Sequence, residues 1–106
     1  VRSYHVSISR YNDSGEHTGV CNWRRNPGLH LMAQGEDPCR VIGRKYAVRI
    51  EKSGPRCAIV VDGRPGPAFD DPQRLPGEIP RAGKIGFRAI GSAVILDISQ
   101  FRVRKL

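Results

Sequence analysis

Two histidines sit in short stretches where polar and apolar residues alternate. His5, Ser7 and Ser9 alternate with Tyr4, Val6 and Ile8, and His30, Met32 and Gln34 alternate with Leu29, Leu31 and Ala33. Between them runs Asn22-Trp23-Arg24-Arg25. Imidazole, carboxamide and guanidinium groups are planar and offer paired hydrogen-bonding atoms. An indole adds a flat apolar face. An arginine can hold a carboxylate through two parallel N–H bonds, and an imidazole can exchange a proton near neutrality. Plainer readings stay open beside these. A single histidine is more often an ordinary surface residue, Trp23 serves equally as core or platform, and Arg24 and Arg25 serve equally as solvated charges.

Other chemistries find less support. No strand-like stretch places two carboxylates on one face. Glu36-Asp37 falls in a loop, and Asp70-Asp71 opens a proline-containing one. Cys21, Cys39 and Cys57 form no CxxC pair, which argues against a structural zinc site or a thioredoxin-type motif. No dense Asp/Asn run suggests calcium, so neither a metal nor a cofactor is expected. An odd number of cysteines argues against a complete disulfide framework, so they read as small buried apolar residues and favour a reducing, cytoplasmic compartment.

The elements that must position these groups follow from period-two alternation. A first strand carries Tyr4, Val6 and Ile8 on one face. Asn12-Asp13-Ser14-Gly15 turns the chain. Residues 20–25 form a second strand, Asn26-Pro27-Gly28 a tight turn, and residues 29–34 a third strand. Residues 35–43 form a loop. Tyr46, Val48 and Ile50 alternate with Ala47, Arg49 and Glu51 in a fourth strand. Ser53-Gly54-Pro55 turns into a fifth strand at residues 56–61. Asp62-Gly63 is a strong hairpin signal. Residues 65–69 suit only a short edge strand, because proline lacks an N–H. Residues 70–83 form a long loop. Residues 84–90, 93–99 and 101–104 complete an all-β, antiparallel fold with no 3.6-residue apolar period. The expected core is Tyr46, Val48, Ile50, Ile59, Val61, Ile85 and Phe87, so Val48→Ala should cost about 1–3 kcal/mol.

The chain has 106 residues, enough for a single domain over 1–106. It contains no apolar run long enough for a membrane helix. Its net charge of +8 comes mainly from 14 arginines spread from Arg2 to Arg104, with no block of like charge. That distribution reads as a solvated surface rather than a nucleic-acid site.

Two segments carry a resemblance. One is Tyr46-Ala47-Val48-Arg49-Ile50-Glu51-Lys52, continuing to Val60-Val61-Asp62-Gly63-Arg64. The other is Gly83-Lys84-Ile85-Gly86-Phe87-Arg88, closing at Phe101-Arg102-Val103-Arg104. Together they resemble the C-terminal part of concanavalin A-like jelly rolls, a superfamily of lectins, laminarinase-like glucanases and polysaccharide lyases. The stretch Asn22-Trp23-Arg24-Arg25-Asn26-Pro27-Gly28-Leu29-His30-Leu31-Met32-Ala33-Gln34-Gly35 is similar to DUF1961, a bacterial jelly-roll family, some of whose members are associated with polysaccharide breakdown. Members of that family are longer, and Val1 already reads as mid-strand. The resemblance therefore implies further strands upstream and an antiparallel jelly-roll β-sandwich incomplete at its N-terminus, with unpaired sheet edges.

The resemblance implies an oligo- or polysaccharide partner lying across the concave face of one sheet, possibly an acidic, uronate-containing one. His5, Trp23, Arg25, His30 and Gln34 are the expected binding residues, converging on one groove. A non-catalytic interaction module of the same fold is the alternative. The glucanase pattern Glu-x-Asp-x-x-Glu does not occur, and no catalytic residue is assigned. The phase of the second strand is open, because Asn22 with Arg24 could face outward instead of Trp23 with Arg25. No membrane and no specific nucleic acid is expected as a partner. Scattered positive charge should give only weak, sequence-independent affinity for duplex DNA, lost at physiological salt. Fluorescence anisotropy against labelled duplexes checks this, and tight sequence-dependent binding in salt would point to nucleic acid instead.

Overall fold

The computed structural model describes residues 3–72, 84–89 and 96–104. Six strands occur there, as two three-stranded antiparallel sheets, with no helix among the described residues. The first sheet joins β1 (Ser3–Ser7), β2 (Val20–Asn26) and β3 (His30–Glu36) in chain order. The second joins β4 (Val48–Ser53), β5 (Arg56–Val61) and β6 (Arg64–Asp70), also in chain order. Neighbours in sequence are therefore neighbours in space, as hairpin connections dictate. No helix of the described residues is long and apolar enough to cross a membrane.

The turns follow from their residues. Asp62 and Gly63 both adopt positive φ, at 50° and 78°, the conformation of a type I′ hairpin loop. Gly54 at φ 55° precedes Pro55 in the β4–β5 turn, where Ser53 pairs with Arg56. Asn12 organises the β1–β2 connection: its Oδ1 accepts the N–H groups of Ser14 and Glu16. Pro27, after a cis Asn26–Pro27 bond, opens the β2–β3 turn.

Strand β6 brings the sheets together by packing on β2 and β3. The approach is close enough that a Cβ at Gly35 would lie 2.7 Å from Cγ of Pro67, so only glycine fits there. Trp23 Nε1 donates to the carbonyl of Pro67 at 2.9 Å, which satisfies the one polar atom of a buried indole. Phe69 inserts between Tyr4 and Trp23, edge-on to both, with centroids 5.6 and 5.7 Å away. Cys21, Cys39, Cys57, Ile59 and Val61 complete the buried core, with Tyr4, Val6, Ile8, Met32, Ala33 and Tyr46 packed around it. All three cysteines are free and buried, and burial pushes each thiol up to about 11.

Several expectations need correction. Ile59 and Val61 are core and Tyr46 flanks it, but Val48 and Ile50 are 43% and 54% exposed. Their register, Val48 with Val61 and Ile50 with Ile59, places them on the core side of the sheet. Strand β4 nevertheless lies two strands from β6, beyond the cover of the first sheet. Alternation reports which side a residue faces, not whether that side is covered. Ile85 and Phe87 are also exposed, at 63% and 56%. Residues 84–89, 96–99 and 101–104 follow no strand, although Phe87 meets Phe101 edge-on at 5.2 Å. The rest of the expected strands at 84–90 and 93–99, and most of the 70–83 loop, lie outside the described residues.

These placements separate two substitutions of similar chemistry. Ile59→Ala should cost about 2–5 kcal/mol through lost transfer energy and a cavity. Val48→Ala should cost under about 1 kcal/mol, as at a surface position and well below the range read from alternation. Urea denaturation of both variants checks the contrast.

Candidate functional site

The face of the first sheet turned away from the second is built from three strands. Pairing Ser3 with Asn26, His5 with Arg24 and Ser7 with Asn22 puts these six residues on one side, since directly opposed residues share a face. Asn22 in turn opposes Gln34, and Arg24 opposes Leu31. The result is a polar surface with three amide side chains, an imidazole and a guanidinium, bordered by the half-exposed Leu31. Its groups hold one another in place. Gln34 Nε2 donates to Asn22 Oδ1 at 2.8 Å, with Asn22 buried at the floor. Asn26 Nδ2 donates to Ser3 Oγ at 3.2 Å and lies 3.4 Å from His5 Nδ1. Arg24 Nη1 donates to the Leu29 carbonyl at 3.2 Å, fixing one end of its guanidinium.

Of the five residues expected to converge, only His5 and Gln34 share this face. Trp23 and Arg25 point inward, where they are 3% and 1% exposed. Their strand phase is set by Cys21, which is fully buried and two residues from Trp23. His30 opposes Arg25 and so lies on the other side of the sheet from His5. The reason is a bulge. Trp23 pairs with Ala33 and Arg24 with Leu31, so Met32 is an extra residue in β3. Beyond it Ala33 faces inward and Gln34 outward, as alternation from Leu29 requires. Before it the phase inverts, sending Leu31 outward and His30 inward. Sequence periodicity has no signal for a one-residue bulge in a stretch this short. Asn22, Arg24 and Asn26 take the places expected of Trp23, Arg25 and His30.

The inward residues do structural work. Arg25 Nη1 reaches both carboxylate oxygens of Asp71, at 3.2 and 2.9 Å, and both side chains are buried. Tyr4 donates its hydroxyl to Asp71 Oδ2 at 2.6 Å. Burial and this hydrogen bond push the Tyr4 phenol well above its ordinary range. Asp37 is a second buried acid. It accepts from the backbone of Arg10 and Cys39. His17 Nε2 lies 3.0 Å from Asp37 Oδ2, an ion-pair distance without hydrogen-bond alignment. His17 Nδ1 accepts the Gly19 N–H.

The electrostatics of the outer face differ from those of the interior. Partial burial lowers the His5 pKa, and the positive charges of Arg24 and Arg88 add to the shift. The imidazole is therefore held toward its neutral form inside a positive field, which suits an anionic ligand. Among the described residues no group of three His, Cys, Asp or Glu side chains is arranged to hold a metal ion.

The profile of a protein family described as a domain of unknown function, DUF1961, matches residues 1–102. The chain belongs to the DUF1961 family. No curated protein and no solved structure matches it. Within this DUF1961 chain, the polar outer face of β1–β3 and the buried Arg25–Asp71 pair both fall inside the matched stretch.

The depressed His5 pKa has a consequence for acid stability. The fold disfavours the imidazolium, so the unfolded chain takes up the proton first as pH falls below about 6.5. The stability contributed by neutral His5 is present above that pH and lost as pH drops through the lower, folded value. His5→Gln should therefore flatten the fall in melting temperature between about pH 7 and 5. Thermal melts across that range check it, and an unchanged slope would mean that His5 titrates normally.

Proposed function

We propose that this chain is a carbohydrate-associated β-sandwich of the concanavalin A-like, jelly-roll kind, which binds or processes a polysaccharide fragment on the outer face of β1–β3. The observation that carries this reading is the set of planar polar side chains aligned across three neighbouring strands: His5 and Arg24, then Asn22 and Gln34, with Asn26 and Ser3 beside them. Carboxamides and imidazoles pair with vicinal hydroxyls through a donor and an acceptor in one plane. Mutual hydrogen bonds fix these groups before a ligand arrives, which lowers the ordering cost of binding. Arg24, with Arg88 contributing to the same positive field, favours a uronate carboxylate over a neutral sugar.

The alternative, a non-catalytic interaction module, is favoured by how the buried acids are used. Asp71 holds Arg25 and Tyr4, and Asp37 holds loop backbone. Both serve the scaffold, so the reading assigns binding residues and no catalytic one.

Calorimetric titration with a uronate oligosaccharide and its neutral counterpart tests the proposal. The acidic ligand should bind more tightly. Arg24→Ala should weaken it about tenfold, as expected for loss of a charge-assisted contact, and leave the neutral sugar little changed. Gln34→Ala should weaken both. Melting temperatures should stay close to wild type. Absence of binding to either sugar, or indifference to both substitutions, would overturn the carbohydrate reading. Binding without any cleaved product would narrow the reading to binding alone.

A further inference from the structure

Strand β4 ends its sheet on a regular edge. Among the described residues no strand pairs with its far side, and Val48 and Ile50 are exposed on the core side. The other edges are interrupted. Strand β6 contains Pro65 and Pro67, which lack a donor, β3 carries the extra residue Met32, and β1 has only five residues. Strand β4 contains neither proline nor irregularity.

Its hydrogen-bonding parity is fixed by its hairpin. Asp62 N donates to the Ala47 carbonyl, and Ser53 pairs with Arg56 across a tight turn. Residues 47, 49, 51 and 53 therefore bond toward β5, and Val48, Ile50 and Lys52 turn their N–H and C=O groups outward. We infer that this edge docks a second copy of the chain, with the two β4 strands antiparallel about Ile50. In that register Ile50 faces its own copy, and Val48 faces Lys52 of the other chain. These are the residues whose backbone groups are outward, so parity and register agree. Arg49 of each chain then opposes Glu51 of the other, giving two reciprocal ion pairs. Arg49 and Glu51 already sit 2.9 Å apart within one strand, on the face away from the core. A one-residue slip either way breaks both the parity and the charge match, and a two-residue slip sets Arg49 against Arg49 or Glu51 against Glu51. The apolar residues that the first sheet leaves bare would be covered by the other chain, Ile50 by its own copy and Val48 by the aliphatic stem of Lys52. Lys52 does not obstruct this, because its ammonium is tied back to the Gly54 carbonyl at 2.8 Å.

An interface of one strand per copy is small, so the dimer should be weak. Sedimentation analysis from about 1 to 500 µM spans the range where such a contact dissociates. Arg49→Glu or Glu51→Arg converts both cross-strand pairs to repulsion and should raise the dissociation constant about tenfold. The double swap, R49E with E51R, should restore it to within about threefold. Hydrogen exchange should show the amides of Val48, Ile50 and Lys52 protected at high concentration and not at low. If a single reversal disturbs folding by circular dichroism, that concentration dependence in the wild-type chain decides the matter alone. A monomer throughout overturns the proposal, as does a dimer indifferent to charge reversal. Protection of those amides in a monomer overturns it too, because the chain's own C-terminal segments would then fill the edge.

Discussion

The Arg25–Asp71 pair is the constraint on which the described fold depends. A guanidinium on β2 and a carboxylate just past β6 meet where neither touches water. Desolvating two charges costs several kcal/mol per ion, recovered only with good geometry and further hydrogen bonds. Those bonds are present. Tyr4 donates to Asp71 from β1, and the Asp71 backbone N–H donates to the Pro55 carbonyl in the β4–β5 turn. One residue thus ties together both sheets and the turn beneath them, its carboxylate holding Tyr4 and Arg25 and its backbone N–H holding the turn. Moving β6 along β2 by a single residue would separate the charges inside the core, so the pair fixes sheet alignment more than it adds net stability.

That alignment determines which surfaces are available. Trp23 and Arg25 are drawn inward, and the opposite side of β2 must therefore present Asn22, Arg24 and Asn26. The outer polar face is the complement of the inner lock. The same alignment centres the first sheet over β6 and leaves β4 beyond its cover. Val48 and Ile50 face the core side beyond the first sheet and are 43% and 54% exposed, and among the described residues no strand takes up the outward backbone groups of their edge. The proposed carbohydrate surface and the proposed self-docking edge can coexist, because they belong to different sheets and share no residue.

The buried acids and the polar groups of the outer face take different roles. Asp71 and Asp37 are both nearly inaccessible, and both carry hydrogen bonds from several segments. Such fully engaged carboxylates organise loops and sheets. The polar groups of the outer face behave differently: Gln34 is exposed, Arg24 and His5 are half-buried, and each is held by a neighbour. This division follows from burial and is the basis for proposing the outer face as the binding surface.

The sequence by itself determined the all-β class, most strand positions and the tight turns. Asp62-Gly63, Gly54-Pro55 and Asn26-Pro27-Gly28 occur where their backbone preferences require, because turn chemistry is local. Residues 56–61 form the expected strand, and Ile59, Val61 and the three cysteines are buried as their types suggest. The inward phase of Cys21, Trp23 and Arg25 was one of two phases that the sequence left open. The tertiary structure alone decided the rest. The bulge at Met32 inverted His30 and Leu31, since a single extra residue changes the face of everything before it. The partner of Arg25 lay 46 residues away at Asp71, a separation that no periodicity reports. The exposure of Val48 and Ile50 depended on how far one sheet extends over another, which is a property of packing and not of alternation.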